Sequence, residues 1–173
     1  MLHFPEEVLE SLDSLEYRSL ITVMLGLDTP HLNDYTAIYL PDQDLFPHRV
    51  SFPPTLSPLT IPKKQFSVMA EITVPKNGSY LKMKDEEIYK NVIEGLTKRN
   101  IIKPDSVIYK RIEVLKYAYP VYSLNYMKDM KIIKDFLAAI NINICGRFGG
   151  FEYINCDVCI DQGRKMAEKL NSI

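Results

Sequence analysis

The 173-residue sequence predicts an α+β fold: an antiparallel sheet with flanking helices, plus a C-terminal unit of strand, glycine turn and helix. Three observations carry that expectation. Short runs rich in apolar and β-branched residues follow one another over 17–74. Apolar residues at helical spacing then return in three separate places. No regular alternation of strand and helix, the mark of a parallel sheet, runs along the chain.

The elements follow in order. In FPEEVLESLDSL (4–15), Pro5 suits a first helical turn and Glu6 and Glu7 complement the helix dipole. Val8, Leu9, Leu12 and Leu15 fall on one face, so a short amphipathic helix is expected. YRSLITVMLGLD (17–28) is too rich in apolar and β-branched residues for a surface helix and predicts a buried strand. YTAIYL (35–40) and HRVSF (48–52) predict two further strands, separated by the turn-like PDQDLFP (41–47). SFPPTLSPLTIPKK (51–64), with Pro53, Pro54, Pro58 and Pro62, cannot pair as a central strand and predicts an ordered surface loop before the strand FSVMAEITV (66–74). A helix is expected over KDEEIYKNVIEGLTKRN (84–100), with Asp85 as cap and Ile88, Val92 and Leu96 inward. SVIYKRIEVLKYAYPVY (106–122) predicts a long strand, in which Pro120 ends regular pairing or places the strand at an edge. MKDMKIIKDFLAAI (127–140) has helical spacing through Met130, Ile133, Phe136, Leu137 and Ile140. NINIC (141–145) is expected as a short strand, followed by a glycine corner and a helix from about Asp157 to Leu170.

Composition narrows the functional classes. Lys and Arg total 21 against 22 Asp and Glu, with no long run of either sign, so no nucleic-acid or membrane partner is expected. No window of roughly 18 apolar residues occurs, and the N-terminus carries acids where a signal peptide needs a basic start. Three cysteines, an odd count, argue against a disulfide framework and suit a reducing compartment, so a cytoplasmic protein is expected. Cys156 and Cys159 form a C-x-x-C pair, yet no second such pair accompanies it and the histidines lie far away in sequence. Two half-buried helix cysteines are therefore expected there in preference to a redox pair or a metal site, and no metal is expected. His3, His31 and His48 sit in unrelated settings and suggest no catalytic triad.

GRFGGFEYINCDVCIDQG (146–163) poses the main functional question. A strand feeding a glycine-rich turn and then a helix brings backbone N–H groups against a phosphate or a flavin ring. The spacing is G-x-x-G-G, and the dinucleotide pattern G-x-G-x-x-G occurs nowhere in the chain. A tight turn with positive φ at one or two glycines explains the same residues without a ligand. Arg147 directly follows the expected strand end, where its charge is costly if buried without an anion. Asp157 is expected as a helix N-cap. Arg49 stands beside His48 at a strand end, either as a solvated arginine or as an anion contact. Tyr117 and Tyr119 alternate as half-buried strand tyrosines do, Tyr122 follows three residues on, and the phenols of all three are also suited to lining a pocket.

NICGRFGGFEYINCDVCIDQGRKMAEKL (143–170) resembles the C-terminal flavin-contacting segment of the FAD-dependent amine oxidase superfamily, in the branch near UDP-galactopyranose mutases and protoporphyrinogen-oxidase-like proteins. Gly146, Arg147, Tyr153, Asn155 and Asp157 match that segment in order, with Cys156 in place of the usual Met. PHRVSFP (47–53) and YAYPVYSLNY (117–126) are similar to two further stretches of the same branch. The resemblance implies a substrate-binding lobe over 1–140 and an FAD-contacting segment over 141–173. It implies FAD as cofactor, contacted by Gly146, Arg147, Tyr153, Asn155 and Asp157, and a nucleotide-sugar ligand contacted by Arg49, Tyr119 and Tyr122. The superfamily's N-terminal Rossmann part is expected to be missing from this sequence. Weak or absent FAD binding by the isolated chain therefore follows, with no activity alone unless another chain supplies that part; the partner expected is such a chain or a second copy in a homo-oligomer. A non-enzymatic anion or nucleotide-sugar binding module is the alternative.

Overall fold

In the computed structural model, which describes residues 3–42 and 46–172, the apolar run after Leu15 is a twelve-residue strand, β1 (Glu16–Leu27). It lies next to the edge of a five-stranded sheet of order β2-β3-β4-β1-β5, with β2 at Ala37–Tyr39, β3 at Arg49–Ser51, β4 at Phe66–Pro75 and β5 at Val107–Val121. β2 pairs antiparallel with β3, and β3 with β4, in a register that sets Arg49 opposite Glu71. Among the described residues, five other than glycine have positive φ, and of these Asn77, Asn100 and Asn141 mark turns, as expected for asparagine's tolerance of the left-handed region.

The chain divides into two compact units, Ser19–Lys116, and Met1–Arg18 with Tyr117–Ile173. In the first unit, alternation along the strands puts Ile21, Val23, Leu25 and Leu27 of β1 and Val68, Ala70, Ile72 and Val74 of β4 into one core. Helix α3 (Asp85–Lys98) covers that core with Ile88, Tyr89, Val92 and Leu96. Each such side chain contributes about 1.5–3 kcal/mol by leaving water. In the second unit, α1 (Glu6–Ser14) packs against α4 (Tyr126–Ala139). The core there is small: Tyr126, Met130 and Ile133, with Leu15, Leu137 and Phe151 against them.

Several sequence expectations need correction. The proline-rich loop contains a single helical turn, α2 (Pro53–Leu56), and a 3-10 turn at Pro58–Thr60, because proline at a first helical position has no N–H to lose. Lys84 occupies the N-cap of α3 and Asp85 is its first helical residue, so Asp85 acts on the dipole and makes no cap hydrogen bond. On α1 the buried residues are Val8 and Ser11, whereas Leu9 and Leu12 are exposed. Ser11 tolerates burial beside Ser14, whose hydroxyl donates to the carbonyl of Ser11 and lies 2.7 Å from Asp129 Oδ2. No strand forms at 141–145. Asn141 takes φ +59° and the Ile142 N–H donates back to the Leu137 carbonyl, so these residues close α4 instead of joining a ladder. Pro120 lies inside β5, which is an edge strand as one of the two expectations required. The turn expected at 41–47 lies in part outside the described residues.

Candidate functional site

The glycine corner folds as one helical turn, α5 (Gly146–Gly149), followed by a short loop and α6 (Cys156–Asn171). Gly146 has φ +78° and nothing within 4 Å of where a Cβ would sit. Its presence is a conformational requirement, and the space beside it is open. The Gly146 N–H donates to Gln162 Oε1 at 2.8 Å, tying the turn to α6. Phe151 also takes a left-handed backbone, φ +50°. That strain is held by the Tyr126 hydroxyl, which donates to the Phe151 carbonyl at 2.8 Å, and by the Phe151 ring packing against the Tyr126 cluster. Burial raises the Tyr126 phenol above its ordinary pKa, with Tyr122 and Glu152 adding to the shift.

Arg147 is the centre of the arrangement. Its guanidinium carbon lies 4.6 Å from the Tyr153 ring centroid and 5.0 Å from that of Tyr119. The two rings are 5.8 Å apart and inclined by 28°. Such cation–π contacts are worth about 0.5–2 kcal/mol each. Arg147 Nη1 donates to the Ile154 carbonyl at 3.2 Å. Its Nε and Nη2 are buried and have no hydrogen-bond partner among the described residues. A buried donor left unmade costs about 1–3 kcal/mol, more on a charged group. Tyr122 braces the loop, its phenol oxygen accepting the Tyr153 N–H at 2.6 Å.

Seven of the eight expected site residues therefore gather around one loop. Arg147, Asn155 and Asp157 line a shallow groove of about 590 Å³ together with Phe148, Ile154, Cys156 and Cys159. Tyr119 and Tyr153 hold Arg147, and Tyr122 holds Tyr153. Gly146 begins the same turn. Asn155, not Asp157, occupies the N-cap of α6, and its side chain makes no cap hydrogen bond. Asp157 falls on the second helical residue because the helix starts one residue earlier than its spacing suggests. The first turn of α6, whose Cys156 and Asp157 line the groove, thus has no side-chain cap from Asn155.

Arg49 belongs to the other unit. Its Nη2 sits 2.5 Å from Glu71 Oε1, and Glu71 is only 2% exposed. Sequence reasoning missed Glu71, a carboxylate at an otherwise apolar strand position. The signal available was the charge itself inside FSVMAEITV. Among the described residues, no group of three or more His, Cys, Asp or Glu side chains is arranged to hold a metal ion, and no helix is long and apolar enough to cross a membrane.

No protein-family model and no curated protein matches the sequence. Solved structures do match the fold. The chain is similar to reduced UDP-galactopyranose mutase, with a TM-score of 0.74 at 20% identity over 83% of this chain. It is also similar to a protein described as a protoporphyrinogen oxidase from Exiguobacterium sp. 255-15, with a TM-score of 0.73 at 16% identity over 94% of this chain. The chain spans about a third of those two proteins, 31% and 36% of their respective lengths.

Proposed function

We propose that this chain is the substrate-facing and flavin-closing part of a flavin-dependent oxidoreductase or mutase that handles a nucleotide sugar, acting with a dinucleotide-binding unit located elsewhere in the same protein or on a partner. The observation that carries the proposal is Arg147, half-enclosed between Tyr119 and Tyr153 with two buried N–H donors lacking an acceptor. FAD offers ring carbonyl and phosphate oxygens of the kind those donors need, so the residues fit the group. Bound FAD supplies the redox chemistry, which no side chain here provides.

The chain's own residues bind and orient. Arg147 donates from Nε and Nη2, while the two tyrosine rings fix the plane of its guanidinium and keep water from it. The uncapped first turn of α6 offers backbone N–H groups and a positive dipole end beside Asn155 and Asp157. Open space at Gly146 lets a planar ring approach the backbone. On the substrate side, the Tyr119 and Tyr122 phenols are suited to a sugar hydroxyl, and Arg49, in the other unit and held by Glu71, is by itself suited to a diphosphate oxygen. The fold shared with a UDP-galactopyranose mutase supports a nucleotide sugar as the ligand class. A second reading, a non-enzymatic module for anions or nucleotide sugars, draws on the same two donors of Arg147, since a phosphate satisfies them without a flavin.

Calorimetry of the purified chain with FAD and with a UDP-sugar tests both readings. Weak FAD binding is expected, reduced on the order of tenfold to a hundredfold by Arg147→Ala, the range of about 1.5–3 kcal/mol for a charged hydrogen bond. UDP-sugar binding without FAD binding favours the binding module. Absence of both at millimolar ligand, or full binding by Arg147→Ala, overturns the assignment of this site.

A further inference from the structure

β5 ends the sheet, and among the described residues no strand pairs with its outer edge. It is fifteen residues long and almost wholly exposed up to Tyr117. Ile108, Tyr109, Val114 and Leu115 are each at least 50% exposed. Natural sheets shorten, charge or cover such edges, because a long apolar edge is a template for another strand. Charges punctuate this strand at Lys110, Arg111, Glu113 and Lys116. Arg111 already hydrogen-bonds Glu113 two residues along on the same face.

We infer that two copies of this chain join antiparallel through the β5 edges, with the two-fold axis at Ile112. In that register Arg111 of one copy lies opposite Glu113 of the other, and the symmetry repeats the pair. Tyr109 then meets Leu115, Ile112 meets its own counterpart, and Lys110 and Lys116 meet Val114 and Ile108. Opposite charges pair, no like charges do, and apolar residues meet across the axis. Neighbouring registers fail on charge. Centring on Arg111 sets two arginines face to face, and centring on Glu113 sets two glutamates together and two Lys110–Lys116 contacts beside them. A two-fold axis perpendicular to the sheet keeps each face continuous, so the α3-covered side of one copy extends into that of the other. The occupant of the edge is therefore a second copy of this chain, and the inference is independent of the flavin proposal.

Sedimentation equilibrium of the full chain, with charge-reversed variants, tests it. The unmodified chain is expected to be dimeric at about 100 µM, where a micromolar interface is largely formed. Arg111→Glu and Glu113→Arg should each weaken the dimer on the order of tenfold, since symmetry alters two contacts at once. Both residues are exposed, so circular dichroism should show the fold intact. Mixing the two variants should restore dimers, as each copy then meets the opposite charge twice, an outcome that pairing within one strand does not produce. A monomeric unmodified chain at that concentration, or a mixture no more associated than its components, overturns the inference.

Discussion

Glu71 is a carboxylate with almost no access to water, 2% exposed, and the Arg49 guanidinium meets it across the β3–β4 ladder. The pair dictates how Arg49 must be probed. Removing one partner of a buried ion pair leaves the other uncompensated, at a cost of about 3–5 kcal/mol. Arg49→Ala is therefore expected to lower stability by that amount in urea denaturation, and Glu71→Gln in the same chain should recover a large part of it. A loss under about 1 kcal/mol for Arg49→Ala would show that solvent or neighbouring groups compensate Glu71, and that the pair has little structural role. A loss of nucleotide-sugar binding in Arg49→Ala mixes this effect with recognition, so Arg49→Lys, which keeps the charge and removes the planar fork, isolates the latter. Sequence inspection named Arg49 and not its partner, because 22 residues separate the two and only the strand register joins them. Arg147, Tyr119, Tyr122 and Tyr153 were legible one by one. Their mutual stacking was not, since it depends on the loop at 150–155 folding back on the end of β5.

At the scale of elements, strands and long helices were legible because their apolar periods are long enough to be unambiguous: β1, β4, α3, α4 and α6 all lie where spacing puts them. Short segments were not. NINIC has a strand's composition, yet a strand needs a neighbour, and these residues instead close α4. Glycine in a strand marks a similar dependence on the neighbour. A Cβ at Gly26 of β1 would stand 2.9 Å from the Tyr109 Cβ of β5, closer than two carbon atoms approach without displacement. The glycine thus allows β5 to lie close against β1. Gly26→Ala is expected to cost about 1–3 kcal/mol by overpacking, measured by thermal or urea unfolding. Tyr109→Ala should give no relief in the double variant, because the crowding atom is the Cβ that alanine retains. Recovery in that double variant would mean that the ring, and not the backbone spacing, sets the constraint.

Across the whole chain, apolar burial is unequally shared. The unit Ser19–Lys116 buries an extended core, including Ile21, Val23, Leu25, Val68, Ile72, Val92 and Leu96. The other unit relies on Tyr126, Met130 and Ile133, and α6 has no buried residue at all. The α+β class was legible in the order of apolar runs, whereas this imbalance was not: α6 has a clear amphipathic spacing, and spacing does not reveal whether anything covers the apolar side. Val158, Ile160 and Leu170 of α6 remain exposed. Local opening free energy follows the apolar surface that an opening exposes, so α6 should open well before β4. In native-state hydrogen exchange its amides are expected to exchange at least about 30-fold faster than those of Val68–Val74, the ratio that ~2 kcal/mol produces. The same chemistry explains why a ligand would be felt there first. If FAD is gripped by Arg147 and the first turn of α6, saturating FAD must slow exchange in α6 more than in β4, because binding to the closed form adds its free energy only to openings that release the ligand. Protection in α6 equal to that of β4 without ligand would require a cover for its apolar face, and protection unmoved by saturating FAD would remove α6 from the flavin site.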